Sequence, residues 1–330
     1  MSHPNVTPRR VRFVVLALTA IVALPGPARA GDSITVGKAV APAWTFTPID
    51  IGVEAGILKK HGFDDVKIVA FGGDAKLQQA LLSKDINFGL ASGPGMAFNA
   101  KGGGGIAVAS YYGAPRNLGI SVKYDSKTTP NDLKGAKVGV STPGSLTDWL
   151  TRRFAEKMGW GSEGITPVPL GAPTASVSAV ETGQINAGVI STEMTYGLEA
   201  KKRIKQIYNF STLVPKFITH VIFARKDEVK ATPDKVKRFV AAWFDTIDYM
   251  AANKEKAVEI SAKVLNQDPA LIARIYDWEF PEFSRDGRFD PEAVALLKQS
   301  FIDMKELEKK PADDELFTEA FLPKKKAMTN

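Results

Sequence analysis

The sequence contains no cysteine in 330 residues. This absence excludes disulfide bonds, thiolate metal ligands and cysteine nucleophiles. Histidine is also scarce, because only His61 and His220 follow the first thirty residues, and they lack the spacing of a metal-binding pair. The sequence has no Gly-x-Ser-x-Gly motif of the kind that carries a nucleophilic serine. We therefore predict that the protein is not an enzyme and uses no cofactor and no metal.

Net charge is low once the amino terminus is set aside. The whole chain has a formal charge of +7, and four of its basic residues are arginines within the first thirty positions. The remainder has 39 basic and 36 acidic residues. Proteins that bind nucleic acids usually concentrate basic residues on one face. We therefore predict no nucleic-acid partner.

Long apolar runs are lacking except near the amino terminus. Residues 13–24 form an apolar run of twelve residues, whereas a membrane-spanning helix needs about 20. Three arginines precede this run, and Ala28-Arg29-Ala30 follows it with the small-x-small pattern of a signal peptidase site. We predict a secretory signal peptide over residues 1–30, cleaved after Ala30.

Beyond that segment, short apolar runs alternate with stretches of helical pattern. The runs are rich in branched residues and bounded by glycine or polar residues, which is typical of buried strands. They comprise residues 34–36, 66–71, 86–91 and 106–110. Helix starts are predicted at Thr47-Pro48 and at Asp74, each with a residue type that favours capping. This alternation predicts an α/β fold with a mainly parallel sheet.

One segment is repeated at an offset of 99 residues. Residues 80–92 and 179–191 share an alanine, an Ile-Asn pair, a glycine and a final serine, which is Ser92 in one and Ser191 in the other. The repeat predicts two equivalent α/β units. Two such units that face each other create a cleft lined by the carboxyl ends of their strands, where ligands bind in open α/β sheets.

The segment after Pro233 is mainly helical in pattern and completes a two-lobe arrangement. We predict lobe I from residues 31–123 and 225–330, and lobe II from residues 124–224. The two crossovers, Leu118–Val122 and Val221–Ala224, would form a two-segment hinge.

A hydroxyl-rich turn lies between a predicted strand at residues 137–140 and the helix that follows. The candidate ligand-binding residues of this turn and helix start are Ser141, Thr142, Gly144, Ser145 and Thr147. The first amides of a helix lack internal partners and carry partial positive charge, so such a turn can hold an anion. The alternative is structural: Ser145 caps its own helix, and Ser141 and Thr142 only make a turn.

Two further candidates follow predicted elements in a similar way. Ser92 and Gly93 begin a turn at which glycine would let a ligand approach the backbone closely, although a plain tight turn explains the pattern equally well. Thr174 precedes another helix, where it is a candidate cap and ligand contact.

Aromatic and acidic candidates complete the set. Trp44 and Phe46 follow the first strand, where an aromatic pair can wall a pocket or pack in the core. Glu193 lies two residues after Ser191, where its carboxylate either binds a cationic group of a ligand or pairs on the surface.

Three sequence segments carry a resemblance to a known family. They are Glu54-Ala55-Gly56-Ile57-Leu58-Lys59-Lys60-His61-Gly62-Phe63, Ala80-Leu81-Leu82-Ser83-Lys84-Asp85-Ile86-Asn87 and Asp132-Leu133-Lys134-Gly135-Ala136-Lys137-Val138-Gly139-Val140. With these segments the chain resembles, from about residue 34 to 265, the periplasmic binding proteins for sulfonates, nitrate, taurine and thiamine-pyrimidine precursors. The third segment is shared by many binding proteins, whereas the first is more specific to this family.

The resemblance implies a fold, a partner and a set of contacts. The fold is the type II periplasmic binding protein architecture, the location is the periplasm, and the partner is the permease of an ABC transporter. Ligand contacts would lie in the loop at Trp44 to Thr47, at Ser92, at Ser141 to Thr147, and at Thr192 and Glu193.

Two departures from the family pattern bear on the ligand. Many relatives have Trp-Glu-Pro after the second-lobe strand, whereas this chain has Ser191-Thr192-Glu193-Met194, so only the glutamate matches. This difference argues against transferring a specific ligand. The fungal pyrimidine synthases that share the fold are marked by a cysteine-rich motif, which this chain lacks.

These observations predict a monomeric periplasmic solute-binding protein of an ABC importer. The expected ligand is a small organic solute that is anionic or resembles a sulfonate or carboxylate. Two alternatives stay open: an enzyme of the same fold acting on a cofactor precursor, and a ligand-sensing module that docks on a receptor.

Overall fold

Two five-stranded mixed sheets form the centre of the described chain, which covers residues 1–2, 31–41 and 43–324 of this computed structural model. The signal peptide predicted for residues 1–30 lies outside the described residues apart from the first two. The described residues from Gly31 onward belong to one compact unit. Among the described residues, no helix is both long enough and apolar enough to cross a membrane.

The first sheet combines strands from the start of the chain with one distant strand. Its members are β1 (Asp32–Lys38), β2 (Phe63–Ala70), β3 (Phe88–Ser92), β4 (Gly105–Tyr112) and β10 (His220–Arg225). The strand order is β2–β1–β3–β10–β4. β1 is parallel to β2 and β3, whereas β10 is antiparallel to both of its neighbours.

The second sheet has the same construction. Its members are β5 (Leu118–Lys123), β6 (Lys137–Val140), β7 (Thr166–Pro169), β8 (Ala187–Ser191) and β9 (Ile204–Asn209). The strand order is β7–β6–β8–β5–β9, with β5 antiparallel to β8 and β9. In both sheets, therefore, an antiparallel strand is inserted into an otherwise parallel α/β arrangement.

Helices connect and cover the strands. The first eight are α1 (Pro48–Glu54), α2 (Ile57–Lys60), α3 (Asp74–Leu82), α4 (Met96–Ala100), α5 (Leu146–Lys157), α6 (Pro173–Glu181), α7 (Thr192–Glu199) and α8 (Lys226–Ala231). The helices of the carboxyl-terminal part are α9 (Pro233–Ala252), α10 (Lys254–Leu265), α11 (Pro269–Glu279), α12 (Pro291–Asp303) and α13 (Asp313–Leu316). Short 3-10 turns lie at Trp44–Phe46, Pro130–Leu133, Phe210–Thr212 and Phe280–Glu282.

Helix α9 attaches the carboxyl-terminal part of the chain to the first sheet. The apolar residues that recur at helical spacing along it are buried, as the sequence pattern predicts. Phe239 stacks on Phe88 of β3 with the ring centroids 3.9 Å apart and the planes nearly parallel. The helix therefore packs on the sheet that contains the amino-terminal strands.

The repeat predicted at an offset of 99 residues is confirmed. Helix α3 and helix α6 begin and end at equivalent positions, and so do strands β3 and β8. Every residue of both strands is buried, as expected for strands with neighbours on either side. Ser92 and Ser191 end the two strands.

The strand pairing does not match the predicted boundaries between the lobes. β5 was predicted as a lobe I crossover, but it pairs within the second sheet, and β10 was predicted as a lobe II crossover, but it pairs within the first. The reason is the antiparallel insertion, which the sequence pattern does not reveal. We therefore propose that the chain crosses between lobes at residues 113–117 and 210–219 instead of within 118–122 and 221–224.

The two crossing segments lie against each other. Thr219 donates a backbone hydrogen bond to the Tyr112 carbonyl at 3.0 Å, and its hydroxyl donates to the Gly113 carbonyl at 2.5 Å. The Arg116 carbonyl accepts from the side chains of Thr192 at 3.2 Å and Trp278 at 3.2 Å. Thr192 begins α7, and Trp278 belongs to α11. The Arg116 carbonyl therefore connects these two helices to the first crossing segment.

Candidate functional site

A cavity lies between the two sheets, at the ends of their central strands. Its volume is about 80 Å³. On the same measure one water molecule needs about 10–15 Å³. The first sheet and its loops contribute Ala39, Val40, Ala43, Thr45, Phe46, Gly73, Asp74, Ser92 and His220. The second contributes Asn117, Leu118, Ser141, Ser145, Leu146, Thr147, Gly171, Pro173, Ser176, Val189 and Ser191. The space fits a small organic molecule.

One wall of the cavity holds a buried carboxyl group. Asp74 accepts a hydrogen bond from the Ser92 amide at 3.1 Å and another from the Ser92 hydroxyl. Burial raises the pKa of Asp74, and the two bonds from Ser92 oppose that rise. Asp74 was predicted to cap its helix, but Gly73 occupies the cap position and the Asp74 side chain points to β3 instead.

A neutral histidine adjoins this wall. Burial lowers the pKa of His220 to about 3, so the imidazole is uncharged at neutral pH. Its Nε2 lies 3.2 Å from the amide nitrogen of Asn117 and 3.3 Å from the Thr45 hydroxyl. Because an amide nitrogen only donates, Nε2 is the accepting nitrogen. The Asn117 carbonyl oxygen is buried and has no hydrogen-bond partner within the described chain.

Three hydroxyl groups form a ring on the opposite wall. Ser141 donates to Ser145 at 2.9 Å, and Thr147 lies 3.0 Å from each of these two hydroxyls. Ser145 also caps α5 by accepting from the Asp148 amide at 3.4 Å, as the structural alternative for this turn proposed. The three hydroxyl protons can therefore be used within the ring, so ligand binding by donation requires the ring to open.

The rims of the cavity touch across the two sheets. Gly73 has a φ of +126°, and a Cβ at this position would lie 2.9 Å from Cγ2 of Thr142. Glycine is needed here both for its conformation and for the close approach. The loops of the two sheets are therefore in contact at this rim of the cavity.

Five of the predicted contact residues line the cavity together. They are Phe46, Ser92, Ser141, Ser145 and Thr147. They come from three predicted segments and from both sheets. The prediction that these strand ends and the start of α5 lie close together is therefore confirmed. Their role in ligand binding stays a prediction.

The other residue pair of the first loop does not line the cavity. Trp44 is buried in an aromatic cluster, edge-on to Tyr276 at 5.9 Å and to Phe283 at 5.4 Å between ring centroids. Thr47 donates its hydroxyl to the Trp44 carbonyl at 2.7 Å and makes no side-chain cap for α1. Neither side chain lines the cavity, and both stabilise the loop through these contacts.

Thr192 and Glu193 also lie behind the cavity. The Glu193 carboxylate accepts from the Trp44 amide at 3.2 Å, and burial raises its pKa to about 7. Burial raises the pKa of Glu279 well above its ordinary value, and the nearby Glu193 charge adds to this effect. A hydrogen bond from the Tyr112 side chain opposes this rise. These two acids form a buried pair next to the crossing segments.

None of the remaining candidates lines the cavity. A Cβ on Gly93 would lie 2.0 Å from the Ile218 carbonyl oxygen, so this glycine permits close packing of the crossing segment. Gly144 has a φ of +72° and donates to the Asp148 carboxylate at 3.0 Å. Thr142 faces Gly73 at the rim, and Thr174 lines a separate surface pocket beside Val177 and Met194.

Sequence reasoning missed several residues that line the cavity. The polar ones outside the predicted contact segments are Asp74, Asn117, Ser176, Ser191 and His220. The repeat distinguishes Asp74, because the equivalent position holds Pro173 and not an acid. Asp74 was nevertheless interpreted as a helix cap. Asn117 and His220 carried none, because their position depends on where the chain crosses between sheets.

Comparison with known proteins gives the family. A family model described as NMT1/THI5 like matches residues 44–257, which is more than half of the chain. The chain therefore belongs to the NMT1/THI5-like family. A Brucella abortus (strain 2308) protein named as a binding protein, without a stated ligand, is 29% identical over 270 residues, covering 80% of this chain and 81% of the relative.

Solved structures give the fold. The periplasmic aliphatic sulphonate binding protein SsuA of Escherichia coli matches with a TM-score of 0.71 at 18% identity, over 87% of this chain and 92% of that chain. The periplasmic nitrate-binding protein NrtA of Synechocystis PCC 6803 matches with a TM-score of 0.70 at 15% identity, over 88% and 86%. The predicted fold class, two α/β lobes of the type II periplasmic binding protein architecture, is confirmed.

Proposed function

We propose that this protein is the periplasmic solute-binding component of an ABC importer. In this role it captures a small organic solute between its two lobes and delivers it, as a monomer, to the permease. The observation that supports this function is the cavity itself, which is lined by strand ends and helix starts from both sheets. Ligands bind at this edge in open α/β sheets.

Hinge closure is the mechanism that this geometry supports. A ligand in the cavity contacts residues of both sheets, such as Ser92 and Ser141, only when the rims at Gly73 and Thr142 are together. Such a ligand binds the closed state better than an open one and so shifts the equilibrium toward closure. The crossing segments at residues 113–117 and 210–219 are the proposed hinge.

The chemical class of the solute is a separate question. The sequence predicts an anionic head, such as a sulfonate or carboxylate, held by the Ser141–Thr147 turn, and an organic body covered by Trp44 or Phe46. Phe46, Leu118 and Leu146 do supply an apolar surface for an organic body. The anionic head stays a prediction, because the hydroxyls of the turn are bonded to one another.

Two serines of one helix give a matched test. Ser176 is buried and lines the cavity, whereas Ser178 is exposed two residues further along α6. We expect Ser176→Leu to abolish retention of the natural ligand by filling the cavity, and Ser178→Leu to retain it. The measurement is mass spectrometry of small molecules released from each protein after purification from the periplasm, followed by uptake assays with the released compound.

Several outcomes would contradict the proposal. Wild-type protein that releases no small molecule would count against solute capture, and so would equal retention by the two leucine variants. Conversion of the released compound by the protein would indicate an enzyme. Uptake that is independent of this protein would remove the transport role.

A further inference from the structure

Asp74 has hydrogen-bonding capacity that the protein itself does not use. An ionised carboxylate accepts about four hydrogen bonds, and the described residues give Asp74 two, both from Ser92. The side chain lines the cavity although the residue is only 5% exposed. The cavity therefore contains a carboxylate that can accept from a bound molecule.

The repeat indicates that the fold does not require an acid at this position. The counterpart of Asp74 in the second sheet is Pro173, which starts α6 as Asp74 starts α3. Strands β3 and β8 end in serine in both cases. The same helix–strand unit is thus built with and without a carboxylate.

The rest of the lining also favours a ligand that donates hydrogen bonds. Among the described residues that line the cavity there is no lysine and no arginine. The buried Asn117 carbonyl oxygen has no partner within the described chain, and His220 is neutral. A bare anion would lie near a carboxylate without a cationic side chain, which is unfavourable in a buried site.

From this balance we propose that the bound solute carries a protonated amine, and that the Asp74 carboxylate binds this amine while Phe46, Leu118 and Leu146 contact the organic body. The inference rests on the proposed solute-binding function and adds the chemical class of the ligand. A cationic donor pairs with the buried carboxylate and supplies the hydrogen bonds that Asp74 and Asn117 can accept.

The test compares three small molecules that have the same four-carbon body. n-Butylamine, n-butanesulfonate and n-pentanoate are titrated into wild-type protein from which bound ligand has been removed by unfolding and refolding. We expect n-butylamine to raise the melting temperature more than either anion, because a ligand that binds only the folded state stabilises it. An equal or larger shift with either anion, or no shift with the amine, would overturn the proposal.

Variants locate the effect. Asp74→Asn keeps the size of the side chain and removes its charge, and we expect it to weaken n-butylamine binding about 10- to 100-fold, the range of a charged hydrogen bond. The control is Asp125→Asn, an aspartate whose side chain is 74% exposed, for which we expect no change. Unchanged amine affinity in Asp74→Asn would also overturn the proposal.

The natural ligand separates this inference from the function on which it rests. If the molecule released from the purified protein lacks an amine, the inference fails and solute capture stands. If no molecule is released from the wild-type protein, solute capture fails, whereas amine-selective binding governed by Asp74 would still show that the cavity has the proposed preference.

Discussion

Residues 74–92 and 173–191 each form a helix followed by a buried strand that ends in a serine, and they start and end 99 positions apart. Their side chains differ at the start of the helix and in the two residues that follow the strand. Asp74 corresponds to Pro173, Gly93 to Thr192, and Pro94 to Glu193. The first unit therefore brings a carboxylate into the cavity, whereas the second unit places its acid behind the cavity. The comparison shows that one backbone plan supports two chemically different walls.

The largest expected effect concerns the pair at positions 93 and 192. A Cβ on Gly93 would lie 2.0 Å from the Ile218 carbonyl oxygen, so we expect Gly93→Thr to lower the free energy of unfolding by about 3 kcal/mol or more. Thr192→Gly removes one hydrogen bond to Arg116 and adds backbone freedom, which costs about 1–2 kcal/mol. Urea denaturation of both variants measures the difference. Equal destabilisation of the two variants would contradict the expected difference between positions 93 and 192.

The second test concerns Glu193, which follows the second unit at the position where Pro94 follows the first. The ordinary pKa of a glutamate is 4.5, and burial raises that of Glu193 to about 7 in the folded protein. The folded state therefore binds this proton more tightly than the unfolded state. The resulting stabilisation is complete below pH 4.5 and is lost as the pH rises through 7; it amounts to at most about 3 kcal/mol.

The variant Glu193→Gln isolates this contribution. It keeps a neutral side chain that can still accept from the Trp44 amide, so we expect stability that falls less steeply between pH 5 and pH 8 than in the wild type. Asp74 and Glu279 also have raised pKa values, so some slope should remain. Thermal melts across this pH range measure it. A slope as steep as that of the wild type would rule out Glu193 as its source.

The smallest of these effects compares the two strand-ending serines. Ser92→Ala removes the hydroxyl that donates to the buried Asp74 carboxylate, whereas position 173, the counterpart of Asp74, is a proline. We expect Ser92→Ala to cost about 1–2 kcal/mol more than Ser191→Ala in the free energy of unfolding. Chemical denaturation at neutral pH measures both. The reverse order would show that the Asp74–Ser92 contact does not stabilise the first unit.

Local patterns were sufficient for the repeat, the main strands and the helical character of the segment after Pro233. The sequence also predicted that Ser92 and the Ser141–Thr147 turn meet at one cavity, because parallel strand ends share an edge. It did not predict the insertion of β10 between β3 and β4, because that pairing joins residues more than 100 positions apart in sequence. The lobe edges moved for the same reason.

The misplaced site residues have an equally physical explanation. An aromatic residue after a strand fits a pocket wall and a core position alike, and Trp44 is in the core because Tyr276 and Phe283 pack against it. Those partners lie more than 200 residues away in the sequence. Asp74 was interpreted as a cap because an aspartate at a helix start has that role in most proteins. Only the tertiary position of Ser92 shows otherwise.

A crystal structure of the protein with its co-purified ligand tests the central claim most directly. We expect the ligand in the cavity between the sheets, in contact with Ser92 and Asp74 on one side and with at least one hydroxyl of the Ser141–Thr147 turn on the other. Ligand density that contacts residues of one sheet alone, or that lies outside this cavity, would contradict capture between the two lobes.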